Sequence, residues 1–73
     1  MDWHKHITVD ANVCHGKPCV SGTRVLVTTV LDNLAEGYEK LEIIKNYPSI
    51  TESDINAVIK YAADLANERV VSI

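Results

Sequence analysis

Apolar and polar positions change period along this chain. In "HITVDANV", Ile7, Val9 and Ala11 alternate with polar neighbours, and the β-branched content predicts an extended strand. "RVLVTTV", Arg24 to Val30, is a second β-branched run and predicts a second strand, making a two-stranded ribbon. From Thr28 the period becomes helical. Val30, Leu31, Leu34 and Ala35 predict a helix from Thr29 to Glu36, with Gly37 placed to end it in a left-handed conformation. Leu41, Ile43 and Ile44 predict a second, short helix that stops by Tyr47, because Pro48 disfavours helical geometry in the residue before it. The third helix has the clearest pattern. Thr51 as N-cap and Asp54 three residues on form a capping box with aspartate in place of glutamate, flanked by Ile50 and Ile55 in staple positions. Ile55, Val58, Ile59, Ala62, Leu65 and Ala66 then make one apolar stripe reaching Asn67, and the tail "RVVSI" is apolar and β-prone.

Between the expected strands lies "DANVCHGKPCVSGTRV", which has no helical period. It is too long for a tight hairpin. Gly16, Lys17-Pro18 and Ser21-Gly22 supply two separate turn signals, so a structured loop is expected. The resulting order is a β-ribbon and loop over residues 1–27, a helical core over 28–69 and a tail at 70–73, together one domain of 73 residues. Two short helices, a Pro-containing turn and a longer third helix follow the order of a helix-turn-helix domain.

Size and composition narrow the function. A chain of 73 residues obtains only about 3–5 kcal/mol from its own core, so a partner chain, a metal or disulfides become candidate supports. With 47% hydrophobic and 23% charged residues it has the composition of a soluble globular domain. It contains no apolar run of membrane-spanning length, and its first residues lack the apolar core of a signal peptide, so a cytoplasmic location is expected. In that reducing compartment Cys14 and Cys19 are expected to be thiols. The net charge of −3 provides no general attraction to nucleic acid. The cations Lys5, Lys17 and Arg24 and all three histidines gather in the first 24 residues, leaving the remainder acidic.

Several chemistries can be weighed in the loop. Zinc would require Cys14 and Cys19 with His4 or His6, but four residues separate the cysteines and no second Cys/His pair follows; semi-buried thiols and solvated histidines fit better. A phosphate loop would lead from Gly-Lys into a helix, whereas Gly16-Lys17 meets Pro18. Cys14 and His15 are adjacent, so on an extended chain they face opposite ways and do not form a nucleophile–base pair. No catalytic residue, metal ligand or cofactor is assigned, and no enzyme activity is expected. Arg24 stands out, because its fork could bond loop carbonyls or pair with Asp10 and hold the loop shut.

The stretches "HGKPCVSGTRVLV", "VLDNLAEGY" and "LEIIKNYPSITESDINAVIKYAA" together resemble the bacterial domain-of-unknown-function 433 family, over about Ile7 to Ala66. The resemblance rests on "GKPCVSGTR" and "YPSITESDI" in combination. It implies a mainly α fold, a three-helix homeodomain-like helix-turn-helix bundle with a short N-terminal β-ribbon. It also implies the role of many members, the antitoxin of a type II toxin–antitoxin pair that neutralises a PIN-like ribonuclease toxin by direct binding and can repress its own operon. The matching positions are Gly16, Pro18, Gly22, Thr23 and Arg24 in the loop and Pro48, Thr51, Asp54 and Ile55 in the turn. With Lys17, those loop residues are the candidate interaction surface.

The third helix departs from a DNA-reading pattern. Its outward positions include Glu52, Ser53, Asn56, Lys60, Asp64, Asn67 and Glu68, with Lys60 the lone cation before Arg69. Ser53, Asn56 and Lys60 are the DNA-binding candidates, while Glu52 and Asp54 would oppose phosphates. Three readings follow: an antitoxin-like module whose acidic surface covers a basic nuclease cleft, a stand-alone dimeric DNA-binding regulator, and a zinc-stabilised interaction module. A homodimer through the ribbon and the apolar tail is expected from the small core.

Overall fold

The computed structural model describes residues 1–68; the expected tail, residues 70–73, lies outside them, as does Arg69. Two strands, β1 (Ile7–Thr8) and β2 (Cys19–Val20), precede three helices, α1 (Val27–Ala35), α2 (Lys40–Asn46) and α3 (Glu52–Glu68). Short 3-10 turns occupy Trp3–Lys5 and Cys14–Gly16. The fold is mainly helical, a small three-helix bundle with an N-terminal antiparallel ribbon.

The ribbon differs from the expected one in its second strand. β1 pairs Ile7 with Val20 and Thr8 with Cys19, so the partner comes from inside the loop. Val25 and Leu26 do lie extended against β2, with the Val20 N–H donating to the Val25 carbonyl at 2.9 Å and Cys19 bridging Leu26. The run then turns helical at Val27, two residues before the expected start at Thr29. The cause is burial. Helical spacing places Val27 and Val30 together in the core, with Leu31 and Leu34 packed against it, whereas a strand would send alternate residues to opposite faces. Tertiary packing therefore overrides the β-propensity of the run. The first N–H of α1 has no side-chain cap, and it donates instead to the Pro18 carbonyl at 3.0 Å.

The other helix boundaries follow the sequence closely. Gly37 has φ +93°, and the N–H groups of Gly37 and Tyr38 donate to Leu34 and Asn33 carbonyls at 3.0 and 3.1 Å, closing α1 in a Schellman arrangement. α2 opens with a reciprocal Glu39/Glu42 capping box that sequence reading passed over, and it ends at Tyr47 before Pro48. At α3 the Thr51 hydroxyl accepts from the Asp54 N–H at 3.2 Å, and the Asp54 carboxylate accepts from the Thr51 N–H at 2.9 Å. Ile50 and Ile55 flank this box, both buried.

One core joins these pieces: Ile7 and Val20 from the ribbon, Val27 and Val30 from α1, Ile43 from α2, and Ile50, Ile55 and Val58 around α3. The stripe expected on α3 is narrower than its sequence pattern. Ile59 and Leu65 are 42% and 43% exposed, while Ala57, absent from the expected stripe, is buried. A strap from the N-terminus covers α3 further along. Trp3 Nε1 donates to the Asp64 carboxylate at 2.7 Å, and the indole meets the Tyr61 ring edge-on with centroids 4.7 Å apart. No helix among the described residues is long and apolar enough to cross a membrane.

Candidate functional site

The loop candidates divide into residues that build the loop and one that does not. Pro18 supplies the carbonyl that receives the first N–H of α1. Gly22 adopts φ +78° at the third position of the Val20–Thr23 turn, a left-handed conformation that strains any residue with a Cβ. Thr23 knits the turn twice over: its hydroxyl donates to the Val20 carbonyl at 2.8 Å and accepts from the Val25 N–H at 3.0 Å. Gly16 ends a tight turn in which Cys14 and His15 also have positive φ. Lys17 is exposed.

Arg24 departs from its expected role. Its side chain is exposed, and among the described residues it forms no ion pair with Asp10 or any other acid. What closes the loop is backbone: the Arg24 carbonyl accepts from the Cys14 thiol at 3.6 Å, alongside the Thr23 and Pro18 bonds. Physically, the Pro18 and Val20 carbonyls beside it are already satisfied by the Val27 N–H and by Thr23, and the Asp10 carboxylate accepts from the Asn12 N–H at 2.8 Å.

Cys14 and Cys19 are both free thiols, Cys14 partly exposed and Cys19 buried. Burial pushes the Cys19 thiol up, reinforced by the neighbouring Cys14 thiol, so it is neutral at physiological pH. No group of three or more potential metal-binding side chains occurs among the described residues. The thiol-bearing loop borders a shallow cup of about 500 Å³. Thr8 and Cys19 form its ribbon side, Val13, Gly22, Thr23 and Arg24 its loop side, and Ser49 closes it from the turn between α2 and α3.

The helix candidates lie elsewhere. Ser53, Asn56 and Lys60 do not line the cup, and two of them are engaged within the fold. The Lys40 ammonium donates to the half-buried Asn56 side chain at 2.6 Å, and Lys60 pairs with Asp64 at 3.0 Å. Hydrogen bonds from Lys60 and Trp3 hold the Asp64 carboxyl below the usual carboxylate range, so it keeps its charge and its grip on Lys60. Ser53 is exposed.

Two residues read as solvated from sequence have structural partners. His6 Nδ1 lies 2.9 Å from the Asp54 carboxylate, tying the ribbon to the start of α3. His4 stacks on Trp3 with centroids 3.8 Å apart and contacts Asp2 at 2.7 Å. Asp54 is thus shared between its own helix cap and His6. Burial raises its carboxyl, but the hydrogen bonds from His6 and Thr51 outweigh this and hold it below its ordinary value. The only sequence signal for the pairing is the capping box itself, which marks Asp54 as ordered.

With these positions established, the family model for "Protein of unknown function (DUF433)" matches residues 7–62, from β1 through most of α3. The chain belongs to the DUF433 family. Its match begins at the ribbon and takes in both the cup-forming loop and the α2–α3 turn, so the elements around the cup are family elements. A crystal structure of a DUF433 member from Anabaena variabilis ATCC 29413 is similar, with a TM-score of 0.79 and 26% sequence identity. That likeness covers 89% of this chain and 64% of the other, so this chain spans less than two thirds of that DUF433 protein. No curated protein matches.

Proposed function

We propose that this chain is an antitoxin-like binding module that neutralises a PIN-like nuclease by direct contact through its acidic helical surface. The observation that carries the reading is the engagement of the candidate DNA-reading groups. Asn56 is held by Lys40 and Lys60 by Asp64, while Asp32, Glu36, Glu39, Glu42, Glu52 and Glu68 face solvent along the three helices. A surface of this sign complements a basic, RNA-binding partner and repels a phosphate backbone. The order of α2, turn and α3 is that of a helix-turn-helix, which keeps operon repression as a second reading in which Lys60, Asn56 and Ser53 meet operator DNA.

The test pairs inhibition with DNA binding. Purified chain is titrated into a PIN-like nuclease encoded in a neighbouring frame, and RNA cleavage is followed. Asp32→Lys, Glu36→Lys and Glu52→Lys combined should weaken inhibition by about tenfold or more, with reduced salt dependence. Lys60→Ala should leave inhibition nearly unchanged. Operator binding weakened by about 1–3 kcal/mol in Lys60→Ala, with inhibition absent in the unaltered chain, would replace the nuclease reading with the regulator one.

A homodimer is part of the same proposal. The small core and the exposure of Val9 and Leu65 support it. Sedimentation at micromolar concentration should give twice the 8.1 kDa chain mass, with a thermal midpoint that rises with concentration. A single-chain mass with a concentration-independent midpoint would remove the dimer.

A further inference from the structure

We infer that the cup between the ribbon loop and the α2–α3 turn is a binding site for a small molecule bearing an oxyanion, a carboxylate or a phosphate, with Arg24 as its anchor. The site is independent of the nuclease reading. Every other residue of "SGTR" has a structural duty. Ser21 donates its N–H to His6 and shares a hydroxyl hydrogen bond with Thr8, Gly22 makes the left-handed turn, and Thr23 pins that turn at both ends. Arg24 contributes only its carbonyl to the loop, and its guanidinium is exposed without an acidic partner among the described residues. It sits at a concave surface of about 500 Å³, room for a metabolite-sized molecule.

The chemistry of the wall selects the ligand class. Among the described residues Arg24 is the single charged one lining the cup, and its planar fork of N–H donors matches an oxyanion in two-point geometry. The Ser49 hydroxyl adds a polar contact, the Thr8 and Thr23 hydroxyls being bonded to Ser21 and to the turn, while Val13 and the buried Cys19 give one apolar side. No carboxylate of the described residues lines the cup, so nothing in that wall opposes a negative ligand. Asp10, the nearest acid in the loop sequence, is turned to the Asn12 N–H. A cup with one cation, the Ser49 hydroxyl and an apolar flank suits an anion with a short apolar body better than a neutral or cationic molecule.

Amide spectra of the ¹⁵N-labelled chain, titrated at constant ionic strength with inorganic phosphate and separately with butyrate, test this. At least one anion should shift the Gly22, Thr23 and Arg24 amides along a saturating curve, half-complete on the order of millimolar. Which anion saturates tells phosphate from carboxylate. Arg24→Gln should weaken binding by about tenfold or more, and Lys17→Ala, an exposed cation outside the cup, should leave it unchanged. If Arg24→Gln loses spectral dispersion, Arg24→Lys, which keeps the charge and removes the fork, takes its place and should weaken binding several-fold. Linear, non-saturating shifts with both anions, or an equal loss in Lys17→Ala, would overturn the site.

Discussion

Ile55→Ala should leave the domain largely unfolded at room temperature. Ile55 is completely buried where the ribbon, α1 and α3 share one core, and large-to-small changes at such positions cost about 2–5 kcal/mol because the surroundings only partly close the cavity. A chain of this size holds a total of about 3–5 kcal/mol, so the loss is comparable with everything available. Urea unfolding followed by circular dichroism measures it directly. Ile59→Ala is the informative comparison. Both isoleucines belong to the same helical stripe in sequence, but Ile59 is 42% exposed and should cost clearly less. Leu41→Ala, at 73% exposure, should fall within about 0.5 kcal/mol of the unaltered chain. Equal losses at Ile55 and Ile59 would place the core of α3 on the wrong face.

Asp54→Ala should cost about 2–3 kcal/mol, more than an ordinary helix cap. The cap bond from the Asp54 N–H to the Thr51 hydroxyl survives in this variant, but the reciprocal bond that the carboxylate accepts from the Thr51 N–H is lost, worth about 1 kcal/mol, and the contact from His6 to an ionised, half-buried carboxylate adds a further charge-assisted hydrogen bond. A double-mutant cycle with His6→Ala separates the two. Coupling of at least about 0.5 kcal/mol between positions 6 and 54 is expected, and strict additivity would show that the tie between ribbon and α3 contributes nothing. The pH dependence has a definite sign. Because the folded carboxyl is held below its ordinary value, its contribution is complete above the unfolded carboxylate range, near pH 4, and is lost as pH falls through the folded value. The unaltered chain should therefore lose stability in acid more steeply than Asp54→Ala, as read from denaturation midpoints between about pH 5 and 2.

Local chemistry made the helix ends legible. Gly37, the Thr51/Asp54 box and Pro48 each act within a few residues along the chain, so their effects do not depend on what packs above them. The ribbon was less legible for the complementary reason. β-branched residues in "RVLVTTV" favour extended backbone, but only the assembled core decides whether Val27 and Val30 are better placed on a helix. Cys19-Val20, two residues inside a turn-rich loop, carry no periodic signal at all, and their strand exists because β1 lies beside them.

The candidate sites divide along the same line. The motif "GKPCVSGTR" marks an ordered loop from sequence, since glycine and proline state their backbone requirements wherever they stand. Its division into builders and one unspent guanidinium required the fold, because whether Arg24 finds a carbonyl, Asp10 or open solvent depends on neighbours that the chain brings together from elsewhere. Asn56 and Lys60 show the same dependence. Their outward positions on α3 follow from helical period, whereas the capture of Asn56 by Lys40 crosses from another helix and has no signature in either segment. His6–Asp54 and Trp3–Asp64 join residues 48 and 61 positions apart, and neither can be read from local pattern. By itself the sequence determined backbone conformation and apolar period, which are short-range properties. Partner choice among polar side chains, the limits of the buried face on α3 and the cup beside Arg24 were decided by tertiary structure, because each depends on distances that close only when the bundle packs.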